Sequence, residues 1–129
     1  MAYLLDANVL IALTIAEHEH HERAGRWAGQ AGQVALCPMV EGALLRFLVR
    51  LGESVAAATH LLNAVRSDPR CEFWPDSLSY TAADLGHVRG HQQLTDAYLA
   101  SLARAHGGRL ATLDQALASA IPDAVELVP

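Results

Sequence analysis

Tyr3-Leu4-Leu5-Asp6-Ala7-Asn8-Val9-Leu10-Ile11-Ala12-Leu13 passes from an apolar run, through an acid, into a helix-forming stretch. Leu4 and Leu5 read as a short buried strand, and residues 7–14 read as a helix. The strand shows no polar alternation, which is the pattern of a strand covered on both faces. A buried strand followed at once by a helix is half of a βαβ unit. Asp6 then sits at the carboxyl end of the strand, where open α/β sheets bind their ligands.

The rest of the chain repeats this alternation. Residues 17–30 predict a second helix, with Ala24, Trp27 and Ala28 inward. Val34-Ala35-Leu36-Cys37 predicts a strand. Pro38 suits the first turn of a helix, where its missing N–H costs nothing. That helix runs to about Leu51 and stops at Gly52. A helix over 54–66 is broken by Asp68-Pro69, and Cys71–Pro75 is a short strand. Ser79 or Thr81 is expected to cap a helix around 82–89. A helix over 95–106 ends at Gly107-Gly108, followed by strand 109–112, helix 114–120 and strand 125–128. No hairpin signal, internal repeat or low-complexity tract occurs. The expected fold is α/β: a three-layer α/β/α sandwich with a central parallel sheet, formed by residues 1–129 as a single domain.

Composition narrows the function. The chain has 129 residues, 52% of them hydrophobic, enough for one continuous core. No apolar run approaches the roughly 20 residues of a membrane span. The N-terminus has no basic leader before Asp6, so the expectation is a cytoplasmic protein. Cys37 and Cys71 are too few for a disulfide framework or a zinc knuckle, and both are expected as buried thiols. A net charge of −5 argues against a non-specific nucleic-acid coat. All nine basic residues are Arg, so lysine-dependent Schiff-base and phosphate-loop chemistry is excluded. Aromatic content is 5%, too low for a base-stacking platform.

Four acids stand out. Asp6, Asp96 and Asp114 each fall at the start of a helix, where an N-cap role would suffice to explain them. Glu41 has no such explanation. It lies with Leu44, Leu45 and Leu48 on the apolar stripe of its helix, while Arg46 and Arg50 point away. A Glu there needs a partner, either an arginine or a cation. Two charges about 4 Å apart repel by about 4 kcal/mol at an effective dielectric near 20. A cluster of such acids takes up protons unless a cation joins it. Oxygen-only ligands select Mg²⁺, or alternatively Mn²⁺, rather than zinc. Such a centre suits phosphodiester hydrolysis by an in-line water.

The block Tyr3–Ile11 resembles the opening of PIN-domain ribonucleases. Met39-Val40-Glu41, Leu94-Thr95-Asp96-Ala97-Tyr98-Leu99 and Ala111-Thr112-Leu113-Asp114 resemble the family's remaining acidic motifs, in the family's order. The small size is most similar to VapC toxins of bacterial VapBC toxin–antitoxin systems. The segment His18-Glu19-His20-His21 before Trp27 is similar to the second helix of many actinobacterial members. The resemblance implies a Mg²⁺-dependent endoribonuclease, the toxin of a type II pair, cleaving structured RNA (tRNA or rRNA) to inhibit translation. It implies Asp6 and Asp96 as principal metal ligands, with Glu41 and Asp114 completing the acidic site and Asn8 and Thr112 supporting it. It also implies a homodimer, a cognate VapB-type antitoxin whose C-terminal segment occupies the acidic pocket, and room for a larger toxin–antitoxin assembly.

Two other readings stay open. One is a non-catalytic binding module acting through a protein partner, with the acids as caps or a basic-peptide pocket. The other is a phosphatase of the haloacid-dehalogenase type, which also places an Asp after its first strand. That chemistry wants an acid two residues on, where this chain has Asn8, and a lysine, which it lacks. The remaining features are read blandly. His18, His20 and His21 belong to a solvated face, Trp27 and Trp74 to the core or an interface, and Arg46 and Arg50 to the surface. His87, Arg89 and His91 precede Asp96 in a glycine-flanked stretch and are either RNA-phosphate contacts or a polar loop.

Overall fold

The computed structural model describes residues 1–129. Five strands form one sheet: β1 (Ala2–Leu5), β2 (Gln33–Leu36), β3 (Cys71–Phe73), β4 (Arg109–Thr112) and β5 (Val125–Leu127). All four pairings are parallel, and the order is β3-β2-β1-β4-β5. Six helices connect them: α1 (Ala7–Thr14), α2 (His21–Ala31), α3 (Pro38–Arg50), α4 (Val55–Arg66), α5 (Leu94–Ala105) and α6 (Gln115–Ala120).

The strand order decides where a ligand can sit. From β1 the chain steps outward to β2 and β3, then returns across the sheet to β4 and β5. Parallel crossovers are right-handed, so the two directions of travel place α1–α4 on one face and α5 and α6 on the other. α1 accordingly packs on α2 and α3, whereas α5 packs on β1 and β4. Travel reverses between β1 and β4. The connections leaving these two strands diverge and open a crevice at their carboxyl ends. Asp6 follows β1 and Asp114 follows β4, so both stand at its mouth.

The core explains the sequence pattern. Leu4, Leu5, Ala35, Leu36, Leu110 and Ala111 are fully buried within the sheet, and Leu44, Tyr98, Leu99 and Leu102 cover it from the helices. Trp27 and Trp74 are buried, as expected. Cys37 is buried, while Cys71 is only half-buried. α5 terminates at Gly107, whose φ of +71° is the left-handed conformation that glycine adopts without a side-chain penalty. At Gly108 a Cβ would collide with the backbone carbonyl of Ala2, so only glycine lets β4 approach the start of β1.

Two expectations need correction. No helix forms over 82–89. Ser79 caps a single 3₁₀ turn at Tyr80–Ala82, and a second 3₁₀ turn covers His91–Gln93. Gly86 and Gly90 with Asp84 divide the intervening residues into tight turns, as when the Asp84 side chain accepts from the Gly86 N–H. α2 also starts four residues later than expected. His18 and His20 lie in the turns ahead of it, and the His20 N–H donates to His18 Nδ1. His21 is not merely solvated, since its Nδ1 bonds the Ala12 carbonyl 2.8 Å away and joins α2 to the end of α1.

Candidate active site

The centre is built on the paired ends of β1 and β4. The Asp6 N–H donates to the Ala111 carbonyl at 2.9 Å, which fixes the register beside the acid. Asp6 Oδ1 accepts from the Ala7 N–H at 2.8 Å, and Oδ2 accepts from the Thr112 hydroxyl at 2.7 Å. Thr112 is fully buried, and its hydroxyl oxygen also accepts from Asn8 Nδ2 (3.2 Å) and the Asp114 N–H (3.1 Å). Asn8 Oδ1 accepts from the Leu113 N–H at 3.1 Å. These partners fix the direction of every proton. Both groups approaching Thr112 are donors, so its single proton can go only to Asp6. Asp6 is held as an acceptor, which favours its carboxylate form. Asn8 and Thr112 are thus tied to each other and, through Thr112, to Asp6.

Asp6 is 7% exposed, and burial pushes its carboxyl above the ordinary 3.8. The Thr112 and Ala7 hydrogen bonds oppose that shift, and the charge of Asp114 reinforces it. Asp96 is in a different condition. It lies in the first turn of α5 rather than at its cap, which is Gln93, so the capping explanation fails here. Its half-buried carboxylate makes no hydrogen bond within the chain. Burial first, then the charges of Asp6 and Asp114, push it up to about 6. Asp114 does cap α6, accepting from the Leu117 N–H at 3.1 Å, and it is exposed. Its charge still bears on both Asp6 and Asp96. Asp114 thus caps α6 while acting electrostatically on the other two aspartates.

Glu41 stands apart. Its side chain is only 15% exposed and pairs with Arg66 of α4, Oε2 lying 3.2 Å from Nη1. Arg66 in turn covers the Phe73 ring at 4.6 Å. The charges acting on Asp96 do not include Glu41. The arginine partner left open by the sequence is thus the one present. The structure brings together three of the four acids and sets the fourth one helical turn into α3, on an ion pair.

The residues still fit a hard divalent cation, in a specific sense. No three His, Cys, Asp or Glu side chains stand as a ready-made cage. Mg²⁺ does not require one, since it commonly takes one or two carboxylates and keeps several waters. Asp6 and Asp96 supply two, and Asp96 has no other partner to satisfy it. A cleft of about 100 Å³ opens beside them, lined by Asp96 and Asp114 together with His87, Gln93, Ala116 and Leu117. Gln93 carried no sequence signal as a site residue. An amide three residues before a helix acid reads as ordinary surface until the 3₁₀ turn places it in the cleft.

Comparison with known proteins agrees with this geometry. The PIN domain family model matches residues 3–121. Ribonuclease VapC29 of Mycobacterium tuberculosis is 54% identical over 131 residues, covering 100% of this chain and 98% of its own. Ribonuclease VapC39 of the same species is 38% identical, covering 92% of each chain. Among solved structures, M. tuberculosis VapC20, described as a sarcin-ricin loop cleaving toxin, superposes with a TM-score of 0.73 at 21% identity over the whole of both chains. VapBC2 from Rickettsia felis, bound to a DNA fragment from its promoter, gives 0.70 at 17% identity, also over the whole of both chains. These two likenesses are of fold. A family model spanning nearly the whole chain, full-length relatives and the three converging aspartates place the chain in the PIN-domain family, in its VapC-type ribonuclease group.

Proposed function

We propose that the chain is a Mg²⁺-dependent endoribonuclease, the toxin of a type II toxin–antitoxin pair, that cleaves structured RNA such as tRNA or rRNA. The observation that carries this reading is Asp96. A half-buried carboxylate with no hydrogen bond in the chain, under the charges of two more aspartates at the switch point of a parallel sheet, gains from a cation. In this reading Asp6 and Asp96 hold the ion, Asp114 engages its waters, and Mn²⁺ is an alternative metal. The bound ion supplies charge neutralisation at the phosphoryl group and a more acidic water. Asp6 is locked as an acceptor by Thr112 and Ala7 and provides a fixed anchor. Asp96 and Asp114 stand ready to orient the attacking water and accept its proton. Glu41 joins the site in this proposal only when it leaves Arg66.

VapBC2 and the FitAB complex bound to an IR36 DNA fragment are toxin–antitoxin assemblies of the same fold. They support a VapB-type antitoxin as partner here, and the same reading takes the toxin as a homodimer within a larger complex. No helix is long and apolar enough to cross a membrane.

The test is direct. RNA 5′ ends are sequenced after induced expression of the wild type and of Asp96→Asn, and the purified proteins are assayed with Mg²⁺ and with EDTA. New ends appearing with the wild type only, and only with metal, are expected. Equal cleavage by Asp96→Asn would refute the catalytic reading of this residue, and no new ends with metal-loaded wild type would favour the non-catalytic module.

A further inference from the structure

The acidic cleft has a problem as an RNA site. Three aspartates repel the phosphodiester backbone, and a single divalent cation offsets only part of that charge. The substrate therefore needs donors on the wall away from the acids. Of the nine arginines, none lines the cleft. Two other polar side chains do, His87 and Gln93.

Both are placed by the segment that failed to become a helix. The Asp84 N–H donates to Ser101 Oγ of α5 at 3.0 Å, which pins the start of the segment to the helix carrying Asp96. The Val88 N–H donates to the Leu85 carbonyl at 3.1 Å, closing a turn around His87. At the far end the Arg89 N–H donates to Gln93 Oε1. That bond occupies the amide oxygen of Gln93 and leaves its Nε2 donors without a partner in the chain. The half-buried His87 imidazole likewise makes no hydrogen bond within the chain. Two unpaired N–H donors thus share a cleft of about 100 Å³ with Asp96 and Asp114. Ala116, Leu117 and Ala120 complete the lining and offer no competing side-chain acceptor.

We infer that His87, assisted by Gln93, grips a non-bridging phosphate oxygen of the RNA backbone and seats the substrate against the aspartates. A neutral imidazole carries one N–H in either tautomer, so the contact does not depend on protonation. Arg89 and His91 have no such role, since neither lines the cleft. This inference rests on the ribonuclease reading and is tested so that the two fail separately.

His87→Leu, His87→Gln and the wild type are compared on a hairpin oligoribonucleotide spanning the cut mapped above. Losing a hydrogen bond to a charged oxygen raises KM about tenfold in His87→Leu, with a smaller change in kcat. His87→Gln keeps an N–H donor and stays within about threefold of wild type. The Mg²⁺ affinity of all three, measured by calorimetry, is unchanged. Equal KM in wild type and His87→Leu, or equal loss in both variants, would overturn the inference. In EDTA, where no cleavage occurs, anisotropy with labelled bulk tRNA gives an independent readout. Weaker binding by His87→Leu supports the contact even if the wild type cuts nothing, and unchanged binding counts against it.

Discussion

Replacing Asp96 by Asn should make the metal-free protein more stable while abolishing its activity. The Asp96 carboxyl ionises near 3.8 when unfolded and at about 6 when folded. A gap of about two pH units, at about 1.4 kcal/mol each, sets an upper limit near 3 kcal/mol. The side chain is only half-buried and water reaches it, so about 1 to 2 kcal/mol is the better figure. The sign follows from proton binding. The folded state holds this proton more tightly than the unfolded state, so raising the pH through 4 to 6 destabilises the fold. The penalty is absent below about 4 and complete above about 6. Asn carries no charge and escapes it, and Asp96 has no hydrogen bond in the chain to lose. Thermal unfolding in EDTA at pH 7.5 should therefore show Asp96→Asn melting higher, by on the order of 5 °C. At pH 4 the two proteins should coincide. Adding Mg²⁺ at about ten times its Kd should recover about 1.4 kcal/mol in the wild type alone and narrow the gap. A variant no more stable than wild type at pH 7.5, or a gap of the same size at pH 4, would refute the reasoning.

Thr112→Val removes the hydroxyl proton directed at Asp6 Oδ2 and leaves the Asn8 and Asp114 donors unmatched. It should cost about 1 to 3 kcal/mol in urea unfolding and weaken Mg²⁺ binding by calorimetry. An intact Mg²⁺ affinity would show that Thr112 only braces the fold. Arg66→Met frees Glu41 from its ion pair. The pair is partly exposed, so stability should fall by less than about 1 kcal/mol. Mg²⁺ should bind severalfold tighter as Glu41 turns to the aspartates, and an unchanged affinity would remove Glu41 from the metal site. Gly108→Ala drives a Cβ into the Ala2 carbonyl and should separate β4 from β1, lowering the unfolding free energy by more than about 2 kcal/mol. A stability equal to wild type would mean that β1 can shift to accommodate the methyl group.

The sheet was legible because burial on both faces leaves a plain signature. Leu4-Leu5, Val34–Leu36 and Leu110-Ala111 are apolar without alternation, and each leads within three residues to a helix cap, at Asp6, Cys37 and Asp114. Strand order was not legible from these runs, because every one of them is equally hydrophobic. Asp6, Asp96 and Asp114 could be placed near one another from their positions after strands and at a helix start. Glu41 could not. Its apolar stripe shows that it needs a partner, but Arg66 lies 25 residues away on the next helix, and nothing local marks the pairing. The stretch 82–89 misled for a related reason. Ala82, Ala83 and Leu85 have helical propensity, but Asp84 and Gly86 close a turn on each other first, and Asp84 is bonded to Ser101. Local side-chain competition with the backbone overrode propensity.

Asp6 and Asp96 are both aspartates of one cleft, yet the chain treats them oppositely, and the difference bears on how the site works. Every available contact is spent on Asp6: a strand register, a backbone N–H and a hydroxyl whose proton has nowhere else to go. Its position is settled before any ligand arrives. Asp96 receives nothing and carries the repulsion of both neighbours. An acid left in that state changes most when a cation arrives, because binding removes a penalty that the fold otherwise bears. In the proposed metal site, Asp6 would therefore set where the ion sits, and Asp96 how strongly it is drawn in. Exchanging the conditions of the two, by giving Asp96 a hydrogen-bond donor at Ala97 or Ala100, should weaken Mg²⁺ binding even though all the acids remain. Calorimetric titration of Ala100→Ser would decide it: tighter binding than wild type would show that an unsatisfied Asp96 is not what draws the metal.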